Sequence, residues 1–339
     1  MTVVGPFGVS VQDEALEADL RTGLAAVEEA LKAATTSDIP FLEEAARHLQ
    51  EAGGKRFRPL LTLLAARFGD PYRPEVLQAA VAVELTHLAT LYHDDVQDEA
   101  EMRRGAPSAN ARWDNTVAIL TGDFLFARAS QIVAGLGAEA VRIQAEAFER
   151  LVAGQILETV EPAADEDPVG HYLEVIAGKT GSLIAIAGRL GALLAGADDS
   201  QVHLLAEYGE RIGVAFQLAD DLLDIASDSD ASGKLPGTDL REGVATLPLL
   251  MLRSSRPDPA DPADTRLREL LAGVHGDLED EALLAETLRL FRTHPALERA
   301  RQETIRFADE ARAVLAPLPE GPAKQALEGL CDAVVHRAS

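Results

Sequence analysis

Six aspartates stand in two groups of the same spacing. Asp94, Asp95 and Asp98 lie in LATLYHDDVQDEAEMRRG, and Asp220, Asp221 and Asp224 lie in VAFQLADDLLDIA. Residues four apart share a helix face, so Asp94 and Asp98 point the same way, and the second run repeats that spacing within a strongly apolar segment. Two carboxylates about 4 Å apart repel by roughly 4 kcal/mol at an effective dielectric near 20. Burying them without a partner costs more. A hard divalent cation relieves both penalties. Oxygen-only ligands with no cysteine nearby suit Mg²⁺, which keeps waters and binds through a few carboxylates plus substrate phosphates. An acidic pair alone does not carry this meaning: Asp198-Asp199 follows Gly196 and reads as a turn that caps the next helix. One DDxxD could be a solvated face, but two copies on separate apolar helices, each with basic residues downstream, point to a metal.

Cations accompany these groups. Gly53-Gly54-Lys55-Arg56-Phe57-Arg58-Pro59 sets three cations in four residues behind a glycine pair, and Arg58 can fork onto phosphate oxygens. Arg103-Arg104-Gly105 follows the first aspartates. Lys179-Thr180 and Gln217 interrupt apolar helices, and Gly233-Lys234 lies in the loop after the second group. Lysine occurs only at 32, 55, 179, 234 and 324, and three of these five fall inside the motifs. Carboxylates that hold a cation, ringed by Arg and Lys, make a site for a diphosphate–metal complex. His87 lies two helical turns before Asp94 and fits a substrate contact; His93 reads as a core residue, and the remaining histidines as surface residues.

The elements that must carry these side chains are helices. Apolar residues recur at helical spacing over Ala15–Lys32, Pro40–Glu51, Pro59–Arg67, Glu75–Glu99, Asn115–Ala134, Ala138–Val160, His171–Ala195, Ser200–Ile225, Leu247–Leu252, Thr265–Leu271, Leu283–Arg292 and Ala296–Leu315. No alternating segment with hairpin signals is evident. The expectation is an all-α chain forming one helical domain over 1–339, with an N-terminal helical segment at 1–35 and a surface loop at 254–266. An acidic loop at 161–167 and a Gly/Pro-containing loop at 227–243 separate helices.

Bulk composition narrows the function classes. The 339 residues are 47% hydrophobic, enough for a sizeable core, and the formal net charge of −25 repels phosphate backbones, which argues against nucleic acid. Cys331 is the single cysteine, so neither an intrachain disulfide nor a cysteine zinc cage is expected. Met1–Val11 lacks a basic n-region, and no run of about 18 uncharged apolar residues suggests a membrane span. A cytoplasmic setting fits, and any membrane contact for product release would be peripheral.

The motifs GGKRFRP, ELTHLATLYHDDVQDEAEMRRG, GKT and FQLADDLLDIASDSDASGKLPGTDLREGVATLP, in that order, resemble the polyprenyl synthetase family, the trans-isoprenyl diphosphate synthases, over about residues 45–250. The resemblance implies a bundle of long antiparallel helices around a central cavity (the isoprenoid synthase fold), usually a homodimer. It implies an enzyme that joins isopentenyl diphosphate to an allylic prenyl diphosphate head to tail. Asp94, Asp98 and Asp220 would bind three Mg²⁺, supported by Asp95, Asp221 and Asp224. Lys55, Arg58, His87 and Arg104 match positions that hold isopentenyl diphosphate. Arg103, Lys179 and Lys234 match those that hold the allylic diphosphate, and Thr180 and Gln217 lie near the developing cation. Lys179, Thr180, Gln217 and Arg103 would form the catalytic set. The departing diphosphate leaves an allylic carbocation that the isopentenyl double bond attacks. Val244 departs from the pattern, standing where the family has a lysine; Arg241 is nearby.

By resemblance, product length depends on bulk four or five residues before the first aspartate. Thr90 and Ala89 occupy those positions and both are small, which implies a long-chain, octaprenyl-like product. Tyr92 is bulky but is expected to face away. The alternatives are a shorter geranylgeranyl- or farnesyl-type synthase, a terpene cyclase, and a non-catalytic partner subunit. The second full DDxxD and the GGKRFRP loop argue against a terpene cyclase, and the two intact aspartate groups argue against a non-catalytic subunit.

Overall fold

Caps and prolines start most helices. The computed structural model describes residues 13–163, 165–226, 236–272 and 280–338. Asp13 accepts a 2.8 Å hydrogen bond from Leu16 N–H and opens α1 (Glu14–Ala34). Proline at the first turn, where no N–H partner is needed, opens α2 (Pro40–Glu51), which is followed by α3 (Phe57–Ala65) and the proline-led α4 (Pro74–Gln97). After a short hairpin come α5 (Ala109–Arg112), α6 (Asn115–Gly135), capped by Asp114, and α7 (Ala138–Glu158). Asp167 accepts from both Val169 and Gly170 N–H at 3.1 Å to cap α8 (Pro168–Ile176). Then follow α9 (Ser182–Ala195), α10 (Asp199–Ala226), α11 (Thr238–Arg241), α12 (Leu247–Ser254), α13 (Pro262–Ala272), α14 (Glu281–Thr293), α15 (Pro295–Val314) and α16 (Pro322–Ala338).

The all-α expectation holds, with local differences: the short helices α5 and α11 lie where no helix was expected, α11 within the loop expected over 227–243. A two-residue hairpin pairs β1 (Met102–Arg103) with β2 (Ala106–Pro107). Its turn, Arg104-Gly105, has φ of 54° and 76°, the positive pair that a two-residue hairpin requires; strands this short leave no alternation to read. The expected helix His171–Ala195 is divided by a single π turn at Ala177–Gly181. Helix α13 starts at Pro262 rather than Thr265, because Asp261 caps it through Ala263 N–H at 2.8 Å. Finally α16 lies beyond the helices expected from sequence, although Ala326, Leu327, Leu330, Cys331 and Val334 are buried at helical spacing.

The chain divides into two compact units. One comprises residues to Leu151, Ser182–Glu210 and Arg312–Leu330. Its core joins α1, α2, α4 and α6 through Val27, Leu31, Leu49, Leu85, Leu88, Tyr92 and Leu125. The Tyr92 hydroxyl donates to Ala45 O and accepts from Leu49 N–H at 3.2 Å, so this ring binds α2, away from Asp94 as expected. The other unit comprises Val152–Gly181, Arg211–Ala311 and Cys331–Ser339; there α12 packs on α8, and α13 on α14. Helix α6 is long and apolar enough to cross a membrane, but it packs on α4 and α2 and carries Asp123 and Arg128.

Buried polar residues fix the second unit. Asp264, 3% exposed, accepts from Arg268 Nε at 2.9 Å, from Asp258 N–H at 2.8 Å, and pairs with His294 Nε2 at 2.9 Å. These contacts, Arg268 first, hold its pKa down at about 2. His294, His48 and His171 are thus internal, correcting the surface reading: His48 Nε2 lies 2.7 Å from Pro107 O and is 9% exposed, and His171 is 8% exposed. A depressed carboxylate contributes stability that is present above the unfolded pKa near 4 and lost as pH falls through the folded value. Asp264→Asn should therefore cost about 1–3 kcal/mol in urea unfolding at pH 6, and the gap to wild type should narrow at pH 3. A constant gap would show that charge is not what matters there.

Candidate active site

The first aspartate group occupies the end of α4. Asp98 caps the helix, its N–H donating to Asp94 O at 2.8 Å, so the one-face arrangement of Asp94 and Asp98 is present. Helix C-termini carry partial negative charge that disfavours carboxylates, and the last turn of α4 contains no basic residue. The hairpin supplies the cation. Arg103 Nε donates to Asp95 Oδ1 at 2.5 Å, and its Nη2 lies 3.9 Å from Asp98 Oδ2. Asp95 is fully buried, its Oδ2 accepts no hydrogen bond, and burial pushes its pKa up against the pull of Arg103.

Arginines 56 and 58 have opposite fates. Arg56 is 8% exposed and goes inward, pairing with Glu28 and with Glu84 Oε1 at 3.2 Å, and donating to Gln50 O at 3.1 Å. Arg58 Nε is buried with no acceptor. Burial, reinforced by Arg104, brings the Arg58 pKa down to about 10, so it stays charged at neutral pH. Arg104, in a left-handed backbone conformation, donates to Leu49 O at 2.9 Å and to Gly53 O. Burial and then the charge of Arg58 and Arg104 drive the His87 pKa well below its usual range, so its imidazole is neutral. Two guanidiniums, a neutral imidazole and an unused buried donor make a place for an anion. Lys55 stands exposed beside them in sequence. His93, also on α4, instead packs its ring against α6, its Nε2 3.1 Å from Ile119 O.

Helix geometry sorts the two small residues before Asp94. At 100° per residue, Thr90 is about 40° from Asp94 and Ala89 about 140°. Over the last three turns of α4 the half-buried residues are His87, Leu91, His93, Asp94 and Val96; of these His87, Leu91 and Asp94 share the face of Thr90, which retains 8% exposure. Ala89 is fully buried within the α1–α2–α4–α6 core. Of the two small residues expected to gauge product length, only Thr90 lies on the Asp94 face, and Ala89 is turned into the core.

In the other unit the second group ends α10, again with no basic residue in the last turn. Its three carboxylates take three kinds of partner. Asp221, 4% exposed, accepts from Gln217 Nε2 at 2.9 Å and from the Tyr172 hydroxyl; burial first, then Asp220 and Asp224, push its pKa up to about 6. Asp224 accepts from Thr238 and Asp239 N–H at 3.1 Å each, capping α11. Asp220 Oδ1 accepts from Arg337 Nη2 at 2.7 Å.

Lys179 and Thr180 sit in the π turn, a feature that re-aims side chains and recurs at functional sites. Thr180 Oγ1 donates to Gln217 Oε1 at 3.2 Å, giving a chain Thr180–Gln217–Asp221–Tyr172. Lys179 Nζ pairs with Glu158 at 2.6 Å. Lys234 lies outside the described residues. Tyr172, Glu158, Glu84 and Arg337 were missed from sequence; Glu84 alone gave a signal, as a charge inside the apolar run VAVELT.

The carboxylates fit hard cations. Among the described residues no three acidic or histidine side chains converge on a ready metal cage, yet both groups keep a guanidinium on an aspartate, and Asp95 retains an orphaned oxygen.

Architecture places the molecule among all-α proteins of isoprenoid synthase fold. It belongs to the polyprenyl synthetase family, which residues 39–284 match, and it is a prenyltransferase. It is 49% identical to nonaprenyl diphosphate synthase of Mycobacterium tuberculosis over 97% of both chains. It is 42% identical to dimethylallyltranstransferase of the same organism, over 96% of this chain and 97% of that one. The geranylgeranyl pyrophosphate synthase of Corynebacterium glutamicum, solved with calcium and isoprenyl diphosphate, superposes with a TM-score of 0.84 at 45% identity, covering 97% of this chain and 99% of that one.

Gly154 on α7 permits the π turn: a Cβ there would lie 2.5 Å from Lys179 N. Gly154→Ala should gain about 1 kcal/mol of helix propensity, yet lower turnover by displacing Lys179 and Thr180. Steady-state kinetics beside thermal melts check this; unchanged turnover would show that the π turn has no bearing on chemistry.

Proposed function

We propose that the chain condenses isopentenyl diphosphate with an allylic prenyl diphosphate, releasing diphosphate and building a long-chain all-trans product. The observation that carries this reading is the pair of DDxxD groups at helix C-termini, each held beside a cation. Asp94, Asp98 and Asp220 would hold Mg²⁺, in a proposed count of three, with Asp95, Asp221 and Asp224 in support. The metal supplies charge that stabilises the departing diphosphate.

The chain's own groups do the rest. Arg58 and Arg104, charged and partly buried, hold the isopentenyl diphosphate with Lys55, and neutral His87 adds a hydrogen bond without more charge. Arg103 and Lys179 meet the allylic diphosphate on leaving Asp95 and Glu158; Lys234 is assigned with them. Thr180 and Gln217, uncharged dipoles linked to each other, border the developing cation without quenching it. Proton loss goes to the released diphosphate, so no side-chain base is assigned. Val244 cannot bind phosphate; Arg241, whose Nε is buried without an acceptor, is the proposed substitute.

Similarity to nonaprenyl diphosphate synthase and the small Thr90 support a long product; similarity to a geranylgeranyl synthase supports the shorter alternative. A homodimer is proposed from the exposed Ile119 and Leu120 on α6, 42% and 59% accessible, since two-fold pairing is the commonest symmetry. Cytoplasmic placement is proposed from the absence of disulfide capacity.

Two experiments test the reading. Asp94→Ala or Asp220→Ala should abolish incorporation of labelled isopentenyl diphosphate while circular dichroism stays helical; near-normal turnover in either would falsify the metal assignment. Thr90→Phe should shorten the product by several isoprene units. Ala89→Phe should instead overpack the core, costing roughly 1–3 kcal/mol, with product length unchanged. Chromatography of both product sets decides, and a shortened product from Ala89→Phe alone would reverse the assignment of faces.

A further inference from the structure

Arg337 is the least expected neighbour of the second aspartate group. It sits in the last turn of α16, 117 residues along the chain from Asp220. Its Nη2 donates to Asp220 Oδ1 at 2.7 Å, and its Cζ lies 4.7 Å from the Phe216 ring centroid. Phe216 and Asp220 are four residues apart on α10, so one guanidinium covers one face of that helix. The ion pair is 24% and 36% exposed, within reach of solvent. Its other terminal nitrogen, Nη1, is buried and has no acceptor. Arg337 is therefore held by one carboxylate and one ring, with a donor left over.

The partners of the three carboxylates differ in what a metal would have to break. Asp221 is held by Tyr172 and Gln217, and Asp224 by two backbone N–H groups of α11. Those contacts fix the carboxylates in place. A guanidinium on Asp220 instead competes for the charge that a divalent cation would take.

We propose that Arg337 is a resident counter-cation of Asp220, that divalent metal binds there by displacing it, and that the end of α16 is thereby released on metal loading. This rests on the assignment of Asp220 as a metal ligand. The release is physically cheap: a half-exposed ion pair contributes little net stability because water and salt screen it.

The test uses the full chain and Mn²⁺ alone. Free Mn²⁺ is measured by electron paramagnetic resonance during titration of wild type, Arg337→Ala, Arg337→Lys and Asp220→Ala, and hydrogen exchange of the α16 amides is followed with and without metal. Arg337→Ala should bind Mn²⁺ about two- to fivefold tighter, Arg337→Lys should fall between it and wild type, and wild-type α16 should exchange faster once metal is added. Asp220→Ala should lose metal affinity. If Asp220→Ala binds like wild type, the metal assignment itself fails. If Asp220→Ala loses affinity but Arg337→Ala binds equally or more weakly, or α16 exchange is unmoved by metal, the counter-cation proposal is overturned. Thermal melts of Arg337→Ala separate lost affinity from lost folding.

Discussion

A carboxylate at the C-terminal end of a helix meets the partial negative charge of the unpaired carbonyls as well as its neighbours. The first group is in that position, in the last turn of α4 and its cap, and the second spans the last two turns of α10; neither last turn offers a basic residue of its own. The cations must come from elsewhere in the chain. Much of the irregular structure follows from this need. The β1–β2 hairpin places Arg103 on Asp95, at the cost of a left-handed Arg104. Helix α16 brings Arg337 to Asp220.

Burial then decides which charges are fixed and which are available. Arg56 and Arg58 are two residues apart, and Arg56 stands in the left-handed region just before α3. Arg56 is sealed against Glu28 and Glu84 and becomes part of the core. Breaking such a pair from one side leaves an uncompensated buried charge, so its role is to hold the loop. Arg58 keeps an unsatisfied donor instead. The loop is thus anchored by one arginine so that the next can be offered to an anion.

The sequence was legible where periodicity is strong. The long helices came within a few residues of their observed ends, because their apolar stripes and caps are local signals, as at Pro40–Glu51 and Asp114–Asn115. What was not legible depends on three-dimensional neighbours. The π turn at Ala177–Gly181 inserts a residue without changing the apolar pattern. His48, His171 and His294 look like surface residues in sequence and are buried because distant groups satisfy them, Asp264 for His294 and Pro107 O for His48. Ala89 and Thr90 are equally small, and only the helix phase against the α6 core separates them.

The two units solve one electrostatic problem by different means. At the first group a short hairpin holds its arginine on a fully buried aspartate, a contact whose removal would strand a charge in the core. At the second, the buried aspartate is satisfied by a phenol and an amide, and the arginine sits on the more exposed Asp220. Neutral partners suit Asp221 because burial has already raised its pKa toward neutrality, so its charge needs hydrogen bonds more than an opposing ion. The more exposed Asp220 instead takes the guanidinium of Arg337, a partner brought from the far end of the chain and within reach of solvent.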